Sequence, residues 1–258
     1  MSDADVLKKQ FTSFFKGVAD CKMSPDAGHY QVDGINRIVT GIPYPFFNSV
    51  MGVTDKVQDQ LDYFDSIKMP FMWGLDYETN PKLFQELVNK GFTHCGVMQG
   101  VMGNLDKPFP VPSLPKEFSI VKVKSEKDLT DFSNLVGEIF VLSGYSLECF
   151  QKAVKHFGDS GKMIHFLIRN EDKPVAAVSI YIEGDLATFW NGATLPEYRR
   201  QGLSTAIRTI ALNEAISRGC KKGGSYLMAG GMALGICKKF GYDTKWRFDY
   251  FVSPQKAS

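Results

Sequence analysis

Six consecutive residues, Arg199, Arg200, Gln201, Gly202, Leu203 and Ser204, carry the most legible chemistry in the chain. They lie between a strand-like stretch and an amphipathic helix. The arginines supply fixed positive charge, and Gly202 lets backbone approach an anion closely. A helix beginning beside them presents unpaired N–H groups and the positive end of its dipole. Leu203, Ile207, Ile210, Ala211 and Ala215 then recur at helical spacing, so one face of that helix is apolar. The pattern describes an anion site at a strand–turn–helix junction; the plainer alternative is a solvated basic turn before a core helix. The turn lacks the GK[ST] ending of a P-loop and the GxGxxG of a dinucleotide site.

The elements that must position this turn are readable on both sides of it. Residues 163–169 and 174–182 read as a hairpin closed by Asn170–Lys173, and residues 186–193 extend it to a three-stranded meander. Downstream, residues 225–229 read as a short buried strand, 232–239 as a short helix and 245–252 as a final aromatic-rich strand. Upstream, residues 118–124 are strand-like, Ser125 starts a helix over 127–141, and a second helix covers 147–157. Ser143–Ser146 between them reads as a turn or a wall of a site.

The first half repeats the alternation. A helix is predicted over 5–19, where Leu7, Phe11, Phe14, Phe15 and Val18 form a stripe, and a hairpin turns at Asp33-Gly34. A strand at 46–51, a helix at 55–65 behind Thr54, and a strand at 70–75 follow. Asn80 caps a helix begun by Pro81, and residues 92–98 return as a strand. Four prolines in residues 106–116 rule out a central strand and mark a stiff linker. The expected organisation is residues 1–106, a linker over 107–117, and residues 118–258. The fold class is α/β with a mixed, largely antiparallel sheet.

Bulk properties narrow the function. Of 258 residues, 44% are hydrophobic, enough for one large or two small cores, and 20 are Phe. The formal net charge is only +2, which argues against a broad nucleic-acid surface despite Arg199, Arg200, Lys221 and Lys222. No apolar run is long enough for a membrane span, and the polar N-terminus carries no secretory signal, so a cytoplasmic location is expected. Five scattered cysteines read as reduced thiols, and four scattered histidines give no metal-ligand spacing; no metal is expected.

The stretch ATLPEYRRQGLSTAIRTIALNEAISRG, followed by MALGICKKFGY, resembles the GNAT superfamily of N-acetyltransferases. The resemblance covers residues 118 to about 252. The family turn is Arg or Gln, two variable residues, Gly, one variable residue, then Gly or Ala; Arg199 and Gly202 match it, and Ser204 departs mildly as another small residue. The resemblance implies a GNAT-like fold and acetyl-CoA as donor. Its pyrophosphate would lie on the amides from Arg200 to Thr205, through Gln201, Gly202, Leu203 and Ser204. Thr194 and Leu195 match the strand end that pairs with the pantetheine arm.

Many family members place a proton-donating Tyr where Cys237 stands, and an Asn where Gly230 stands. The acid is therefore open between Cys237 and Tyr198, Tyr226 or Tyr242. Glu183, Asp185 and Glu197 are candidate bases, Glu183 foremost, and Asn191 is a candidate for positioning substrate. The halves also resemble each other: FFNSV beside TFWNGA, and LVNKGF beside ICKKFGY. This implies a tandem GNAT-like architecture in which the first copy lacks the basic glycine turn. Trp73, Asn48 and Asp76 in that copy are pocket candidates or simply packed residues. The expected activity is transfer of acetyl to an amine of a small molecule, an amino acid or a peptide; a noncatalytic acyl-CoA-binding or protein-interaction module is the competing class.

Overall fold

The computed structural model describes residues 1–254. Contacts divide the chain into two compact units. The first comprises residues 1–99, 228–230 and 245 onward, and the second residues 100–227 and 231–244. Residues 245 onward, which read in sequence as the last strand of the second half, thus group with the first unit.

Helix α1 (Asp3–Ala19) opens the chain on a capping box: the Ser2 side chain accepts from the Asp5 amide, and the Asp5 carboxylate accepts from the Ser2 amide. Strands β1 (Gly28–Val32) and β2 (Ile35–Val39) form the hairpin at Asp33-Gly34, both at positive φ. Residues predicted as a strand from 46 instead begin with a 3-10 turn at Pro45–Phe47, and β3 is short (Ser49–Met51). Pro45 has no N–H for a ladder, and Asn48 is fully buried, bonding Thr40, Ile42 and Pro70 backbone. Helix α2 (Val57–Ser66), β4 (Met72–Asp76), α3 (Pro81–Asn89) and β5 (Thr93–Asn104) follow.

The remaining elements are β6 (Phe118–Lys122), α4 (Glu126–Phe140), α5 (Gly144–Asp159), β7 (Met163–Asn170), β8 (Lys173–Glu183), β9 (Leu186–Thr194), α6 (Leu203–Ser217), β10 (Lys222–Met228), α7 (Met232–Lys239) and β11 (Asp243–Val252). Residues between β5 and β6, the proline-rich stretch, have no regular structure.

In the first unit the strand order is β1-β2-β3-β4-β11-β5, with β3 and β4 parallel. Its core joins Phe64 and Phe71, stacked at 4.0 Å, to Trp73, Phe92 and Phe251. Of the pocket candidates there, Trp73 and Asn48 are fully buried. Asp76 accepts from Lys8 (2.6 Å) and from the Trp246 indole (2.7 Å), so its charge is already engaged.

In the second unit the order is β5-β10-β9-β8-β7-β6, with β9 and β10 parallel and β6–β9 antiparallel. Strand alternation gives this sheet two distinct faces. Helices α4 and α5 cover one: Phe132 meets His165, and Phe157 meets Tyr181. Helix α6 covers the other, where Leu203, Ala206, Ile207, Ala211, Leu212 and Ala215 are buried. Arg169 fastens α4 through Asp128 (2.9 Å) and Asp131 (2.8 Å), while Ser125 and Asp128 form the capping box at its start.

Candidate functional site

The parallel pair at the centre of the second unit comes apart. Residues Lys222 to Ser225 of β10 pair with Leu186 to Phe189 of β9, and there the ladder ends. Both strands continue, β9 through Thr194 and β10 through Met228, without pairing to each other. Trp190 and Tyr226, the first unpaired residues of each strand, hold their rings 5.2 Å apart on the face covered by α4 and α5. A sheet opened in this way exposes backbone donors and acceptors that a ligand can take up.

A bulge in β9 widens the opening. Ala177 pairs with Ala193, but Ser179 pairs with Trp190, so Asn191 and Gly192 oppose a single residue of β8. Asn191 is left-handed at φ 52°, a conformation Asn tolerates better than most residues. Its Nδ2 donates to the Ser179 hydroxyl at 3.1 Å, and Ser179 lies 2.8 Å from His165 Nδ1. His165 Nε2 faces the Val154 carbonyl at 3.2 Å, so Nε2 carries the proton and Nδ1 accepts from Ser179. Burial pushes the His165 pKa down to about 4, which keeps this ring neutral. A fully enclosed His–Ser pair therefore orients the side chain of Asn191.

The basic turn follows β9 directly. Leu195 is buried and its amide donates to Val175, fixing the strand end. Thr194 donates its hydroxyl to Ala193, and its carbonyl accepts from Arg199 Nε at 3.2 Å. A 3-10 turn over Pro196–Tyr198 carries the chain on to Arg200 (φ 61°) and Gly202 (φ 81°). Gly202 is the N-cap of α6 and contributes no side-chain cap. Its carbonyl accepts from the Thr205 and Ala206 amides, at 3.0 Å each. The amides of Arg200, Gln201, Gly202, Leu203 and Ser204 donate to no protein acceptor among the described residues. A Cβ on Gly202 would meet nothing within 4 Å, so the space above the turn is open. Exposed arginines, unused amides and a helix N-terminus fit a diphosphate.

The structure brings Asn191, Thr194, Leu195 and residues 199–205 together along one strand end and turn. It does not bring Glu183 there. Glu183 pairs with Leu186 at the opposite end of the β8–β9 hairpin, five residues or about 16 Å along the strand from Asn191. Glu197 stands beside the turn but accepts from Lys173 at 3.1 Å. Cys237 is fully buried on α7; burial raises its thiol pKa, opposed by Arg208 and by a hydrogen bond with Ser225. Tyr242 is also enclosed, and burial raises its pKa strongly. Tyr198 lies within 3.5 Å of the Asn170 amide.

Sequence reasoning missed Trp190, Ser179 and His165, and it offered Tyr226 by residue type alone. It also passed over Arg208, a charged residue beside an apolar helical stripe, which was the available signal. A groove of about 300 Å³ lies elsewhere, between Lys122–Glu126 and Lys155–His165. Its bases are mostly engaged: Lys122 with Glu214 and Lys155 with Asp159. Among the described residues no three His, Cys, Asp or Glu side chains cluster as a metal site, and all five cysteines are free thiols.

Residues 139–226, spanning α5 through β10, match the model of the acetyltransferase (GNAT) domain family. This stretch is thus similar to the GNAT acetyltransferases, transferases that use acetyl-CoA as co-substrate. Solved structures share the fold at low identity. A GCN5-related N-acetyltransferase from Kribbella flavida is 17% identical, with 99% of this chain and 97% of that one covered at a TM-score of 0.70. Another from Sphaerobacter thermophilus is 13% identical over 84% and 76% of the two chains, at 0.67. A tandem GNAT protein from the clavulanic acid biosynthesis pathway is 11% identical over 99% and 97%, at 0.58. No curated protein sequence matches the chain. Among the described residues no helix is long and apolar enough to cross a membrane.

Proposed function

We propose that the second unit transfers the acetyl group of acetyl-CoA to an amine of a small molecule, an amino acid or a peptide, at the opening between β9 and β10. The observation that carries this reading is the end of the parallel ladder at Phe189–Ser225, immediately before the bulge and the basic turn. In this reading the amides of Arg200 to Ser204, with Thr205 behind them, take the pyrophosphate, while Arg199 and Arg200 supply charge. The unpaired edge from Asn191 to Leu195 takes the pantetheine arm.

The acceptor enters from the face of Trp190 and Tyr226. These aromatics give its amine an apolar wall, and Asn191, held by Ser179 and His165, orients it. Bound acetyl-CoA supplies an activated thioester. The nitrogen–carbon bond forms as the carbon–sulfur bond breaks, the electron pair leaves on sulfur, and the nitrogen sheds a proton to water. In this reading a backbone N–H on the β9 edge beyond the end of the ladder polarises the carbonyl, which is where preorganised donors act most strongly.

Calorimetry with acetyl-CoA, followed by mass spectrometry of pooled small amines and peptides, tests the reading. Binding with one or more amines gaining an acetyl group is expected. Absence of binding removes the donor site, and binding without any acetylated amine removes the acceptor assignment.

A further inference from the structure

Arg208 is a buried cation without a counter-ion. It lies on the inner side of α6, one turn into the helix, and is only 7% exposed. Its Nε donates to the Ser204 hydroxyl at 3.3 Å, tying it to the basic turn. Its Cζ sits 4.6 Å from the centre of the Phe189 ring. A Cβ placed on Gly192 would lie 2.5 Å from its Nη2, so a side chain there would displace the guanidinium. Nη1 has no hydrogen-bond partner, and no carboxylate among the described residues pairs with the side chain.

The surroundings offer no negative charge. The titratable groups that act on Arg208 are Cys237 from α7 and Tyr242 beyond it, and burial keeps both thiol and phenol protonated. The remaining neighbours are neutral: Ser204 on its own helix, and Phe189 and Gly192 on β9. An arginine stays charged in almost any protein environment. A charge enclosed with no partner is costly, so its position calls for an explanation outside the resting protein.

The position supplies one. Phe189 is the last paired residue of β9, and Gly192 belongs to the unpaired stretch. The guanidinium therefore lies at the vertex of the opening, deeper than the diphosphate turn. We propose that Arg208 is the fixed counter-charge for the coenzyme sulfur, stabilising the thiolate released when the carbon–sulfur bond breaks. This rests on the acetyl-transfer reading above. The electron pair of the broken bond stays on sulfur, the acetyl carbon has joined nitrogen, and the nitrogen's proton has gone to water. The sulfur thus departs as an anion beside a guanidinium. Burial raises the pKa of both Cys237 and Tyr242, the nearby thiol and hydroxyl, which disfavours proton donation from either to sulfur. Charge does here what proton donation would otherwise do.

The test measures binding. Affinities of free coenzyme A and of desulfo-coenzyme A, which has hydrogen in place of the thiol, are titrated between pH 6.5 and 9.5 against the wild-type chain, R208K and R208Q. An ordinary alkyl thiol loses its proton near pH 8.5, on the order of the free cysteine value. For the wild type, the preference for coenzyme A over desulfo-coenzyme A is expected to grow about tenfold per unit by which the bound thiol is acidified. R208K should keep part of that rise and R208Q should flatten it, with diphosphate-dependent desulfo-coenzyme A affinity changed little. A preference that stays flat with pH in the wild type overturns the proposal by itself, whether or not the variants fold. A rise of equal size in a folded R208Q chain also overturns it. If neither ligand binds the wild type, the acetyl-CoA site and this inference fall together.

Discussion

Each unit contains one parallel strand pair bridged by a helix, and the two pairs end differently. In the first unit β3 and β4 stay closed: Ser49, Val50 and Met51 pair with Met72, Trp73 and Gly74. Gly52 then extends the bonding, its amide donating to Gly74 at 3.2 Å while its carbonyl accepts from the Trp73 indole at 3.0 Å. In the second unit β9 and β10 part after Phe189 and Ser225. The following turns differ in the same sense. Residues Gly52–Lys56 include Asp55 and no arginine, and two of their five amides are already engaged, Gly52 with Gly74 and Lys56 with the Thr54 hydroxyl, so the segment is a poorer anion site. On the proposed reading, a shared arrangement of strands and helices becomes a donor site only where the strands separate and the turn is basic. Elsewhere it is a packed support.

The comparison can be broken most strongly through acid. The opening of the second unit rests on neutral His165, whereas the closed end of the first rests on an indole that does not titrate. The folded-state pKa of His165, about 4, lies below the ordinary 6.5. Between these values the unfolded chain binds a proton that the folded one refuses, so stability falls as pH drops through the window and levels off below it. The second unit should lose about 3 kcal/mol over that range, read by chemical denaturation at a series of pH values. His165→Asn should start less stable but show that slope much reduced; an unchanged slope would place the titrating group elsewhere.

Opening the closed pair is the next test. Trp73→Phe leaves the Gly52 carbonyl without its indole donor, and should destabilise the first unit by about 2 kcal/mol in a denaturant titration. Acetyl-CoA affinity should be unaffected, since the site belongs to the other unit. Closing the open one comes next: Gly202→Val forces a β-branched residue to φ 81° beside the diphosphate turn. Calorimetry should show acetyl-CoA binding weakened roughly tenfold or more, with a thermal midpoint moved by only a few degrees. Gly52→Val at φ 119° should cost stability without touching affinity.

The smallest effect concerns the α4–α5 turn. Val141 ends α4 at φ 57°, 83% exposed, a poor conformation for a β-branched side chain. Val141→Gly should stabilise the second unit by about 1 kcal/mol or less. If it also raises the KM for the acceptor amine, that strained turn borders the acceptor path.

Local chemistry made much of this visible in advance. The capping Ser125 with Asp128, Asn80 before Pro81, the Asp33-Gly34 hairpin and the basic turn all act within a few residues, so the chain alone specifies them. The partner of a strand is a different kind of property. Residues 245–252 read as a strand in any sheet, and nothing in their alternation says that β11 pairs with β4. The same limit hid Trp190 beside Tyr226 and the His165–Ser179–Asn191 chain, which meet only when β7, β8, β9 and β10 are registered. Thr54 looked like the cap of α2, yet the helix starts at Val57 behind Lys56, because Thr54 satisfies that amide first. Arg208 was the legible exception: a lone charge beside an apolar stripe is visible in sequence, though its enclosure is not.

Amide hydrogen exchange with and without acetyl-CoA tests the contrast between the two units most directly. Bound acetyl-CoA should slow exchange at residues 200–204, whose amides have no protein acceptor, and along the 191–194 edge, and leave residues 52–57 unchanged. Protection at 52–57, or none at 200–204 under saturating acetyl-CoA, would contradict the assignment of the donor site to the separated strands.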